Sequence, residues 1–305
     1  MGQPSHDHVT FVDGVAIDEG DVRIYLGSGF STQDIDASRM LLLSGAGRWM
    51  THDIASRVIS VHARRSPLEL YGLGRDGFVS IATTSRVAEE SIPDAGTGRG
   101  KFGYVTQIRS IGEQLYVCGS LHQVYRRGRA SWEHIDDEIL VRNVRAVGYN
   151  LNSIDGTAPN DIYTVGDRGH IFHYDGTRWR ETGSPTNYDL ERVLCCSADE
   201  VWICGMHGIL IRGNRSGWEL LGDPQEFVED FWGIAVFQDD VYLSTARGIV
   251  KWDGKGFDPV DVGVPFSGSF HRLTASDRTL WAVGVNDLVC FDGQRWTEVV
   301  YPGNQ

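Results

Sequence analysis

The chain has 305 residues, with 28 Lys and Arg against 41 Asp and Glu and a formal net charge of −13. That balance argues against nucleic acid as a partner, because phosphate binding depends on cationic neutralisation, and it favours a basic protein drawn in by charge. No stretch approaches the length of an apolar membrane span, the first ten residues lack a signal-type apolar core, and five cysteines make an odd number. The expected setting is therefore the reducing cytoplasm, away from membranes.

Taken in chain order, one pattern recurs. RIYLGSGF (residues 23–30) followed by GAGRW (45–49) is a diverged copy with a long insertion, and ELYGLGRDGFVSI (69–81) lacks the terminal aromatic. QLYVCGSLHQVYRRGRASW (114–132), DIYTVGDRGHIFHYDGTRW (161–179), EVWICGMHGILIRGNRSGW (200–218), DVYLSTARGIVKWDGKGF (240–257) and TLWAVGVNDLVCFDGQRW (279–296) follow. Trp179, Trp218, Phe257 and Trp296 stand 39 residues apart, with Asp175, Asn214, Asp253 and Asp292 in the same register. An aromatic and a turn residue locked together over four periods mark a repeated supersecondary unit.

Each unit divides into four strands. An apolar run such as LERVLCC (residues 190–196) is the inner strand, VWICG and ILIR follow, and the outer strand opens at Trp. Alternating apolar residues bounded by Gly, Asp and Asn suit half-buried antiparallel strands, and Asp-Gly suits a tight turn. Gly119, Gly166, Gly205 and Gly284 are expected at turns where a Cβ would clash, and the Trp residues are expected between blades. The reading is all-β: a single seven-bladed β-propeller with four antiparallel strands per blade. It spans residues 1–305 as one domain, with approximate blades 8–54, 55–92, 104–138, 143–184, 189–223, 230–262 and 270–300. Ring closure has two solutions. Either the chain begins with an inner strand and ends with an outer one, or residues 8–12 complete the last blade.

The repeat, Trp-x-Val-Gly, Gly-x-Ile and Tyr-Asp-Gly-x-x-Trp, resembles the bacterial WD40/YVTN/BNR-like propeller superfamily over roughly residues 114–296. It departs from true WD40 repeats, since Trp252-Asp253 is the one Trp-Asp pair, and from sialidase Asp-boxes. The resemblance implies the fold, and propellers host enzymes, lectins and scaffolds alike.

Several chemical motifs fail on inspection. In Ala95-Gly-Thr-Gly-Arg-Gly-Lys-Phe102, Ala95 and Phe102 replace the Gly and the Ser/Thr of a phosphate loop, and no helix follows. His170 and His173 lie three apart on a strand, Cys195 and Cys196 point to opposite faces, and His6 with His8 sits in the terminal segment. Cys118 and Cys204 stand where sister units carry Val165 and Val283, as small core side chains. No metal and no cofactor is expected, and no catalytic residue is assigned.

Segments preceding the inner strands are expected to gather at one mouth of the channel. They differ between blades while framework positions repeat, which suits a single asymmetric ligand. The candidate partner-binding residues are Tyr104, Arg145, Asp189, Glu191 and His271, with the patch Asp136, Asp137 and Glu138, and Tyr188. The densest cluster is Glu226, Phe227, Glu229, Asp230 and Trp232, where an aromatic ringed by charge would make an interface anchor; core packing of Phe231 and Trp232 is the competing reading. The sequence thus points to a non-enzymatic interaction protein, in its sharpest form an immunity protein blocking a basic toxin domain through acidic mouth loops. The alternative is a carbohydrate-binding or carbohydrate-cleaving propeller with Asp189, Glu191, Asp230 and His271 as acid and base.

Overall fold

The computed structural model describes residues 8–30, 36–129, 131–222, 225 and 227–305. Seven antiparallel sheets of four strands each follow one another in sequence order. Their inner strands are Val9–Glu19, Val58–Arg64, Val105–Ile111, Leu151–Ala158, Leu190–Ser197, Gly233–Phe237 and Phe270–Ala275, here blades 1 to 7. Connections into the inner strands, and the turns between second and third strands, share one face of the ring, termed the upper face. The remaining turns form the lower face.

No strand is exchanged at closure: the first strand pairs within blade 1 and the last within blade 7. The seam is held by Phe11 N donating to Val285 O at 2.8 Å. Asn304 clamps the backbone of Val9, its Oδ1 accepting Val9 N at 2.8 Å and its Nδ2 donating to Val9 O at 2.9 Å.

Apolar clusters form between sheets. Trp179 is 2% exposed and packs with Ile111, Tyr116 and Val124 of blade 3 as well as Ile154 and Phe172 of its own blade. Trp132, Phe257 and Trp296 occupy corresponding interfaces. Burying an aromatic of this size contributes about 2–3 kcal/mol. The recurrent Asp is an Asx turn: Asp175 Oδ1 accepts Thr177 N and Arg178 N at 3.0 Å each, and Asp253 and Asp292 repeat the arrangement. The recurrent glycines meet the Cβ clash that was expected, but at the end of the second strand rather than in a turn. Gly166 (φ −170°) and Gly205 (φ −168°) are extended. A Cβ there would lie 1.8 Å from Asn150 O or 2.2 Å from Asp189 O, so close approach to the backbone entering the inner strand demands glycine.

Polar ties bind the blades around the channel. In six blades a register shift bulges the inner strand near its start, aiming two successive side chains at the next blade. In the uppermost tier, Thr106 Oγ1 donates to Leu151 O (2.5 Å), Asn152 Nδ2 to Leu190 O (3.0 Å) and His271 Nε2 to Val12 O (2.9 Å). One step down, Asp13 Oδ2 accepts Val61 N (2.8 Å), Ser60 Oγ accepts Ile108 N (3.4 Å), Gln107 Oε1 accepts Ile154 N (2.7 Å) and Ser153 Oγ accepts Val193 N (3.1 Å). Arg272 Nε meets Asp13 Oδ1 at 2.7 Å and joins blade 7 to blade 1. In a third tier, Asp155 accepts Cys195 N and Thr274 accepts Ala16 N. At Gly233 the backbones themselves meet, since a Cβ would lie 2.8 Å from Leu273 N.

Asp13 is the joint of this ring. Burial pushes its carboxyl upward, but the charges of Arg272 and Arg109 and the Val61 N–H outweigh that and hold it below the ordinary carboxylate range. Asp13→Ala leaves the Arg272 guanidinium uncompensated and is expected to cost about 3–5 kcal/mol, read from urea midpoints at pH 7. Because the folded pKa is depressed, Asp13 contributes fully above the unfolded carboxylate pKa and loses its contribution as pH falls through the folded one. The deficit of the variant should therefore shrink at pH below about 4.

Candidate functional site

Six of the nine large apolar side chains exposed among the described residues stand on the upper face: Tyr104, Val144, Val147, Tyr188, Val228 and Val285. Single exposed apolar residues are ordinary and a concentration on one face is not, which makes the upper face the candidate for contact. Val147 is 78% exposed and Tyr188 45%. Tyr188 lies flat on His207, with ring centroids 4.4 Å apart at 16°. The connection between blades 3 and 4 rises beside the connection between blades 2 and 3. Together they enclose a hollow of about 240 Å³ walled by Phe102, Leu121, Val144, Val147 and Tyr149.

Charge is uneven on this face. Arg57, Arg75, Arg99, Lys101, Arg142, Arg145 and Arg168 are interspersed with Asp76, Asp94, Asp137 and Glu138 on the connections and turns of blades 2 to 4, while Asp167, Asp189, Glu191, Glu229, Asp230, Asp261 and Asp287 follow from blade 4 to blade 7 with Arg247 among them. The expected acidic mouth is thus found over blades 4 to 7, and the arc over blades 2 to 4 is of mixed charge. Glu191 is the most perturbed member of the mouth. Burial raises its pKa to about 7, the Arg272 charge opposes that, and Asp189, Asp167 and Asp230 push further upward.

The structure brings some of the candidate residues together and assigns others elsewhere. Tyr104 stands on the upper face under the Arg75 guanidinium, 4.9 Å from its ring centroid, and Arg145 is exposed on the blade 3–4 connection. Asp189 and Asp230 are equivalent caps: each accepts the N–H of a left-handed residue in the neighbouring turn, Arg168 (φ 59°) at 2.7 Å and His207 (φ 57°) at 2.9 Å. They remain part-exposed, so the mouth keeps their charge.

Three candidates are tied into the scaffold. Asp136 is fully buried, its carboxylate accepting Val124 N at 2.6 Å and pairing with His134 at 3.0 Å, so it belongs to the scaffold. His271 spends its Nε2 on Val12 O in the upper tie, and burial lowers its pKa. Phe227 stacks on Phe231 and tilts against Phe257, partly buried at the blade 5–6 core. Glu138 stays exposed and accepts the Trp179 N–H at 3.5 Å. Asp137 is exposed and pairs with Arg142, Glu229 pairs with Arg247, and Trp232 is half-buried just ahead of its strand. Phe231 is fully buried, as the core-packing reading held. Glu226 and His6 lie outside the described residues. His170 pairs with Glu181 and His173 with Asp161, so the two imidazoles serve different carboxylates. Sequence reasoning missed Val144, Val147 and Asp167. The apolar residues spaced irregularly through the loop at 143–149 are their one trace in the sequence.

Comparison with solved structures places the fold in the WD40-type propellers. The WD40 propeller domain of Doa1 superposes with a TM-score of 0.69 over 96% of this chain and 95% of its own, at 13% identity. YCF48 from Cyanidioschyzon merolae gives 0.68 over 95% and 96%, at 12% identity. No family model matches the sequence. The immune protein Tsi7 of Pseudomonas aeruginosa is 32% identical over 244 residues, 79% of either chain, and the present chain belongs to the family of that protein.

Glu191 supplies a direct test of the mouth electrostatics. With its folded pKa raised, its contribution to stability is fully present below the unfolded carboxylate pKa and is lost as pH rises through about 7. Urea midpoints should fall for the wild type between pH 5 and 8, and Glu191→Gln should flatten that decline and exceed the wild type at pH 8.

Proposed function

We propose that this chain is an immunity protein that acts in the cytoplasm by binding a toxin domain across the upper face of blades 3 to 6. The observation that carries this reading is the gathering of exposed Tyr104, Val144, Val147 and Tyr188 beside the carboxylates of Asp167, Asp189, Glu191 and Asp230. Apolar anchors supply most of the binding energy at protein interfaces, while flanking charge selects the partner and speeds encounter. Membership of the immune protein Tsi7 family supports the same role. The acidic half suits a basic toxin surface. Five cysteines without a disulfide fit the proposed compartment, and no helix among the described residues is long and apolar enough to cross a membrane.

The test begins with affinity capture from the producing strain, at low and high salt, with mass spectrometry of the eluate. The captured protein is then expressed in a heterologous host with and without this chain. A lethal protein neutralised by the wild type supports the reading. Val147→Asp and Tyr188→Ala are expected to weaken binding by about 1–3 kcal/mol each without lowering thermal stability, since both side chains are exposed. Unaltered binding by both variants would place the interface elsewhere.

The carbohydrate reading rests on Glu191, the mouth carboxyl poised near neutrality. Asp189 and Asp230 already serve backbone amides, and His271 is committed to Val12. Loss of all protection in Glu191→Gln, with binding intact, would favour that chemistry; a graded loss of affinity would favour the interface.

A further inference from the structure

The lower half of the channel reverses the charge of the molecule. Here the inner strands enclose a lumen of about 800 Å³ that carries Arg64, Arg65, Arg109, Arg192 and Arg272 against Asp13, Asp155 and Asp277. A chain with 41 acidic and 28 basic residues has placed its excess of cations where seven blades converge.

The neutralisation inside is incomplete. Arg64 is paired with Glu69 and Arg272 with Asp13. Among the described residues Arg109 and Arg192 form no ion pair. Arg109 Nη1 donates to Ile108 O at 2.9 Å, and Arg192 Nη1 to Glu191 O at 2.6 Å and Asn152 O at 3.2 Å. Arg65 reaches Ala16 O alone. Asp13 accepts Gly14 N and Val61 N and pairs with Arg272, Asp155 accepts Cys195 N, and the charges of both also act on Arg109. Buried Arg192 Nε and Arg272 Nη1 have no hydrogen-bond partner. Five guanidinium groups against the carboxylates of Asp13, Asp155 and Asp277 leave the lumen with a cationic excess that a bound anion would offset. Arginine is suited to holding one because its planar fork meets phosphate oxygens in pairs.

We propose that the lower channel is a binding site for a phosphate or phosphate-monoester dianion, held by Arg109 and Arg192 with Arg65 at the opening. The volume exceeds a bare phosphate and falls within the range of small-ligand pockets, so a phosphate ester with its organic group toward the lower face fits. The site is separate from the upper-face interface and does not depend on the immunity reading.

The probe is inorganic phosphate added to the purified full chain, with sodium chloride at matched ionic strength as control. Calorimetric titration and thermal unfolding should show saturable one-to-one binding and a phosphate-specific rise in melting temperature. Arg109→Gln and Arg192→Gln should each weaken binding at least tenfold. Arg65→Gln, at the opening and with one bond to lose, is the variant for the case in which the inner arginines prove essential to folding, and it should also weaken binding. Absence of saturable binding at millimolar phosphate would overturn the proposal. A melting-temperature rise matched by chloride, or retained in the arginine variants, would show a general salt effect and overturn it equally.

Discussion

Seven sheets meeting around one axis leave their inner strands too close for large side chains and too exposed to the channel for a purely apolar joint. The tiers of side-chain to backbone hydrogen bonds passing from each blade to the next resolve that conflict. Asp13, Ser60, Gln107 and Ser153 are essentially buried and each accepts the amide of the strand ahead. Any one such bond contributes only about 1 kcal/mol net. Unmade, each would leave a buried donor and acceptor unpaired at the centre of the molecule, a penalty of about 1–3 kcal/mol per group. The ring therefore fixes which way the inner strands face, and it needs the bulge that lets two consecutive side chains serve the same neighbour.

This constraint also explains where function is free to sit. Thr106, Asn152 and His271 stand at the channel's upper end but are occupied in holding blades together. Asp189 and Asp230 hold neighbouring turns. Contact chemistry is displaced outward onto the long connections of blades 3 to 6, where backbone conformation is less determined by the ring and apolar side chains remain exposed. The connection from blade 3 to blade 4 is tied to the turns of both blades through Val141, Val147, Tyr149 and Asn150, yet leaves Val144 and Val147 exposed.

The architecture was legible because its determinants are local and repeated. Trp179 and its counterparts fill one inter-blade pocket each, and Asp175 and its counterparts close one turn each, so a fixed spacing carries both. The blade count and the strand count follow from the same spacing, whereas the closure, left open between two solutions by the sequence, is settled by the strand pairing within blades 1 and 7. The site was legible only in outline. Asp136 looks like any acidic loop residue beside Asp137 and Glu138, yet it is drawn under the loop by Val124 N and His134. Phe227 looks like an exposed anchor and is instead partly buried against the blade 5–6 core, because Phe257 of the following outer strand offers it a ring to pack on. The inter-blade ring was invisible, since Asp13, Ser60, Gln107 and Ser153 share a position but not a residue type. Their common role, accepting an amide, is met by carboxylate, hydroxyl and amide alike.

The account's central claim is that the upper face of blades 3 to 6 is where this protein meets its partner. Hydrogen–deuterium exchange of the chain, alone and saturated with the captured toxin domain, tests it directly. Protection is predicted in residues 136–150, 182–191 and 227–232, with the lower-face turns at 112–113, 159–160, 198–199 and 276–278 unchanged. Protection confined to those lower turns, or spread along the outer strands with the blade 3–4 connection still exchanging freely, would contradict it.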